Sequence, residues 1–137
     1  MSFDIFPSCV DRGESSHFPV VLAEQAFLAF VRLREPTRWV LADCRADIWI
    51  KDLAEISDFG VSRPPGDPAH PFWQGLLTLM QKTQTFLYWP TTGYPRATVA
   101  QPSVIPHIST DMREVLGTVP TVTRPEQFWE YIEQSNA

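Results

Sequence analysis

Apolar residues recur at helical spacing in residues 72–82. At ~100° per residue, Phe72, Trp73, Leu76, Leu77, Leu79 and Met80 share an arc of roughly 160°, and Gln74, Gly75, Thr78, Gln81 and Lys82 fill the opposite side. A one-sided stripe predicts a helix that lies on a core. Pro71 suits its first turn, where no N–H partner is needed, and Asp67 and His70 are the candidate caps. Gly75 weakens the helix by ~1 kcal/mol relative to Ala, a cost that close approach of another segment would explain. Directly afterwards, residues 85–89 place Phe86 and Tyr88 on one face and Leu87 and Trp89 on the other. Bulk on both faces predicts a central strand covered on both sides, and Pro90 ends it.

The same patterning extends along the chain. Phe3, Ile5 and Cys9 alternate with polar or small residues and predict a first strand over 3–10. A helix opens at Pro19 and runs to about residue 33, apolar around most of its circumference and so packed on two sides. Glu24 is an odd acid there, read as reaching solvent or an arginine at the helix edge. Residues 39–42 and 46–51 form a hairpin, with Ala46, Ile48 and Ile50 pointing one way and Asp47, Trp49 and Lys51 the other. Residues 56–62 read as a strand, and the proline-rich 63–71 as a loop. Residues 96–100 pair back on 86–89, and 102–108 cross in extended form. Ser109 or Thr110 caps a short helix ending at Gly117. Residues 119–122 make an edge strand because of Pro120. Thr123 and Glu126 match a capping box for a last helix over 125–134. The predicted fold is α+β: a single domain over 1–137, a mostly antiparallel sheet with the helices at 19–33, 71–82 and 125–134 packed on it.

Composition narrows the function. The 137 residues fit one domain, and 44% hydrophobic content supplies a core. A formal charge of −5 argues against nucleic acid or an anionic membrane as partner, since each requires a basic footprint. Cys9 and Cys44 show no metal spacing and are read as free, buried thiols of a reducing compartment. The start MSFDIF has no basic leader pattern. The longest apolar run, 19–31, contains Glu24 and Gln25 and is too short to span a bilayer. These features predict a cytosolic protein with no membrane association.

Candidate chemistry is sparse. His17, His70 and His107 lie far apart, and a cap separates His107 from Asp111. No P-loop, dinucleotide fingerprint, nucleophile elbow or zinc-ligand spacing is present, so neither cofactor nor metal is expected. Cys9 becomes a nucleophile only if a histidine and an acid approach it. A small hydrolase or transferase remains the alternative, drawing on His107 with Asp111 or His17 with Glu14. The more distinctive feature is residues 43–58, where Asp43, Asp47, Asp52, Glu55 and Asp58 outnumber Arg45 and Lys51. With Trp49, a residue type common at interface hot spots, this run predicts a docking surface for a basic partner. Asp47, Trp49, Asp52, Glu55 and Asp58 are the expected contact residues.

The stretches MSFDIFPSC, FGVSRPP followed by FWQGLLTLMQKTQTFLYWP, and PHISTDMREVLGTVPTVTRPEQFWEYI together cover most of the chain. They resemble a group of small, uncharacterised bacterial proteins. In size and acidity the chain also resembles immunity proteins encoded beside polymorphic or contact-delivered toxins. That resemblance implies a non-enzymatic antitoxin that folds alone, as monomer or homodimer, and occludes a bacterial toxin domain. A non-catalytic adaptor, dimerising through an edge strand, is the remaining alternative.

Overall fold

The first strand, β1 (Asp4–Asp11), becomes the centre of the sheet because Ile5, Pro7 and Cys9 are buried on one face while Phe6 and Ser8 alternate with them on the other. In the computed structural model, which describes residues 4–136, it is followed by β2 (Glu14–Ser15), β3 (Phe18–Pro19) and the helix α1 (Val20–Phe27). Phe3, expected to open the first strand, lies outside the described residues. Strands β4 (Val31–Glu35), β5 (Arg38–Leu41), β6 (Asp47–Trp49), β7 (Glu55–Ile56) and β8 (Gly60–Ser62) come next, then α2 (Pro71–Lys82), β9 (Thr85–Tyr88) and β10 (Ala97–Val99). The chain closes with a 3-10 segment (Pro102–His107), α3 (Thr110–Leu116) and α4 (Gln127–Ser135).

The main sheet has the order β10-β9-β1-β8-β6-β5-β4, and every pairing along it is antiparallel. The α+β architecture and the antiparallel sheet agree with the sequence pattern. One face carries Ile5, Cys9, Trp39, Leu41, Ile48, Val61 and Leu87, and α1, α2 and α4 bury Phe27, Phe72, Trp73, Leu77, Phe128 and Ile132 against it. On the opposite face, Val10, Phe86, Ala97 and Val99 are covered by Val104 of the 3-10 segment, Ile108 just after it and Leu116 of α3. That second cover reaches only the β10-β9-β1 end.

Helix α2 matches its predicted bounds. His70 caps it, its Nδ1 accepting the Phe72 N–H at 3.0 Å. The helix expected over 19–33 is corrected: it stops at Phe27, a 3-10 turn follows, and residues 31–35 are strand β4. The alternation Val-Arg-Leu-Arg-Glu has a period of two, and pairing with β5 outweighs helical propensity. Residues 56–62 divide into β7, which pairs with β3 outside the main sheet, and β8 within it. The crossing at 102–108 is a 3-10 helix rather than extended chain, a tight form that accommodates Pro102 and Pro106. Residues 119–122 contribute one parallel bridge, Thr121 to Val99, instead of a strand. Pro120 offers only its carbonyl, which accepts the Val99 N–H at 3.1 Å. Glu126 makes no side-chain cap on α4; Gln127 Oε1 does that work, accepting the N–H groups of Thr123 at 2.7 Å and Arg124 at 3.0 Å.

Candidate binding surface

Beyond the cover supplied by α3, the second face of the sheet is open. Its floor starts with Phe6 on β1 and Tyr88 on β9, directly paired in register. Their rings stack at 5.3 Å between centroids, and Tyr88 stacks in turn on Phe86 at 5.7 Å. Gly60 on β8 lies beside them, where a Cβ would stand 3.4 Å from the Phe6 ring. Trp49 is opposite Gly60 on β6. Its Nε1–H donates to Ser62 Oγ at 2.9 Å, which fixes the indole, yet 47% of the residue remains exposed. These side chains and the segment 50–59 enclose a hollow of about 830 Å³.

The rim of this groove is acidic. Asp4, Glu55 and Asp58 line it, and among the described residues none of the three has an ion-pair partner. Lys51 and His17 are the other titratable side chains at the lining besides Tyr88. Burial, and then the nearby Asp58 carboxylate, push the Tyr88 phenol above its ordinary value. Its hydroxyl therefore stays protonated at neutral pH and can donate a hydrogen bond. Leu53, also at the lining, is 62% exposed. Trp49 and Leu53, both exposed, line this same groove.

The acidic run that looked uniform in sequence is split by the fold. Trp49, Glu55 and Asp58 are brought together at the groove. Asp47 points to the same face but sits deeper and further along β6, buried and 3.4 Å from Arg63. Asp52 is away from the groove. Its carboxylate accepts from Arg34 Nε at 2.5 Å and Nη2 at 2.8 Å, and from the indole of buried Trp39 at 3.1 Å. Arg34 hydrogen bonding is the main cause holding the Asp52 carboxyl below its usual range. The same arginine takes Glu24 at 2.7 Å, which answers the odd acid of α1. Asp43 is spent on His70. Sequence patterning missed Phe6, Gly60, Asp4 and Tyr88 as groove residues. Asp4 and Phe6 do share a strand face, but nothing local says that this face stays open.

Three potential ligand or nucleophile side chains cluster at one place among the described residues. Donor atoms of Asp43, Cys44 and His70 lie within 4.8 Å of one another. His70 Nδ1 is occupied by the Phe72 N–H, so the neutral ring carries its proton on Nε2, which donates to Asp43 Oδ1 at 2.9 Å. Nε2 then has no lone pair to take the Cys44 proton or to ligate a metal, and protonating Nδ1 instead would break the cap of α2. The set is a capping device, not a dyad. His107 is likewise structural: its Nδ1 accepts the Arg12 N–H at 3.1 Å and lies 3.2 Å from Asp11. Cys9 is buried, and burial is the chief cause raising its thiol above the usual value. Cys44 is half-buried and free rather than fully buried as expected. No helix among the described residues is long and apolar enough to cross a membrane.

No family model matches the chain, and no curated protein or solved structure matches it either.

Proposed function

We propose that the protein is a non-catalytic binding protein that receives a basic segment of a protein partner in the groove of Phe6, Trp49 and Tyr88. The observation that carries this reading is an aromatic floor edged by three acids, Asp4, Glu55 and Asp58, without ion-pair partners among the described residues. A Lys or Arg side chain laid across the rings gains cation–π attraction, and the carboxylates meet its charge. The sheet edges are poor alternatives. Strand β4 carries Arg32 and Arg34 and a register shift between Val31 and Leu33. Beyond β10, the segment around Pro120 takes the Val99 N–H.

The partner we infer is a toxin domain, which makes this an immunity-type inhibitor acting by steric occlusion. That step rests on the sequence resemblance together with the acidic groove, a match for the basic active sites of toxins that act on nucleic acids or nucleotides. The test is co-expression with the polypeptide encoded by the neighbouring reading frame. The wild-type protein should form a complex with it and restore growth. A Glu55→Lys/Asp58→Lys variant, both changes at exposed positions, should keep its fold and lose both effects. A wild-type protein that neither binds nor protects overturns the proposal.

A further inference from the structure

The open face has a second hollow beyond Trp49, of opposite charge. It measures about 320 Å³ and is lined by Arg32, Arg38, Arg45 and Arg63, with Leu33 and Val40 as apolar floor. Four of the nine arginines of an acidic chain meet there. Two of them are committed: Arg38 pairs with Glu35 at 2.9 Å and lies over the Trp49 ring at 5.6 Å, and Arg63 reaches Asp47 at 3.4 Å. Arg32 and Arg45 have no acidic partner among the described residues. Arg63 adopts φ +52°, a left-handed conformation that a non-glycine side chain rarely takes, and it does so at the end of β8 where its guanidinium meets the hollow.

We infer that this hollow binds a phosphoryl dianion, free or as a monoester. Crowding four guanidinium groups around one small space is unfavourable until anions neutralise it, and with Glu35 on Arg38 and Asp47 on Arg63 the charges of Arg32 and Arg45 remain unmet among the described residues. Planar arginine forks match the tetrahedral oxygens of a phosphoryl group, and a dianion answers several forks where a carboxylate answers one. The site is independent of the docking reading above. It shares only Trp49 as a boundary, through the Arg38 stack.

Thermal unfolding at constant ionic strength tests it, with chloride as reference and inorganic phosphate, O-phosphoserine and adenosine monophosphate as probes. Saturable stabilisation by at least one probe is the expected result, since a ligand that binds only the folded state raises the midpoint by mass action. The Arg32→Gln and Arg45→Gln variants, both at exposed positions, should each weaken binding by roughly tenfold or more. Lys82→Gln, an equal charge change elsewhere, should leave it unchanged. Which probe binds tightest tells free phosphate from a phosphorylated residue or a nucleotide. The inference is overturned if no probe saturates, or if Lys82→Gln weakens binding as much as the arginine changes do.

Discussion

Gly75 of α2 lies so close to Ala26 of α1 that a Cβ at position 75 would stand 2.2 Å from the Ala26 carbonyl oxygen and 3.1 Å from its carbon. The glycine that weakens α2 locally is thus what lets two helices cross backbone to backbone. Propensity alone would make Gly75→Ala stabilising by ~1 kcal/mol. Contact with main-chain atoms decides the opposite sign, because a carbonyl cannot swing aside as a side-chain end can. The expected outcome is a loss of about 1–3 kcal/mol, the usual cost of overpacking, read from urea or thermal unfolding. Stabilisation would show that the helices can part without penalty.

Asp52 ties β4 to the loop after β6, through Arg34, and holds the indole of Trp39. Arg34 depresses its folded pKa below the unfolded value. Its contribution to stability is therefore complete above the unfolded carboxylate pKa and is lost as pH falls through the depressed folded value. Asp52→Asn keeps an acceptor for the Trp39 N–H but removes the charge facing Arg34. Stability near neutral pH should fall by about 1.5–3 kcal/mol, the range for hydrogen bonds to charged groups. The variant's unfolding midpoint should also fall less steeply on acidification. An unchanged acid limb would place the pH dependence elsewhere.

How far the residues announce this fold depends on how local the deciding interaction is. The stripe of α2, the His70 cap and the double-sided bulk of β9 are local, and the structure matches them. The end of α1 was hidden because Val31 and Leu33 suit a helix face as well as a strand; only β5 alongside decides. The groove was half legible. Trp49, Glu55 and Asp58 stand out in the acidic run, but Asp43, Asp47 and Asp52 look the same in sequence and are engaged by His70, Arg63 and Arg34. Those partners come from distant segments, as do Phe6 and Tyr88. Whether an acid is free or paired is a property of the tertiary fold.

The two cysteines differ in the way a thiol reagent can detect. Cys9 faces the core on β1 and is 2% exposed, and its thiol is pushed up mainly by burial. Cys44 sits half-buried in the turn between β5 and β6. Reaction requires an accessible thiolate. With excess iodoacetamide at neutral pH, mass spectrometry should find Cys44 modified first, with Cys9 following only on the timescale of unfolding. Equal rates would contradict the burial of β1.

Core and groove should respond oppositely to truncation. Leu87 is fully buried on the helix side of β9, so Leu87→Ala leaves a cavity and should cost about 2–5 kcal/mol. Any loss of partner binding it causes should disappear once the fraction folded is accounted for. Trp49 is nearly half exposed, donates a hydrogen bond to Ser62 and lies under Arg38. Trp49→Ala should cost little stability yet weaken partner binding by about 2 kcal/mol or more if it is an interface anchor. Gly60→Val probes the same groove from its floor: the backbone is not left-handed there, and the added side chain would stand over the Phe6 ring. It should keep the fold and block the groove. Calorimetry with the partner domain, paired with unfolding curves for each variant, separates the two effects. If Leu87→Ala impairs binding by folded molecules while Trp49→Ala and Gly60→Val do not, recognition lies on the helix side of the sheet.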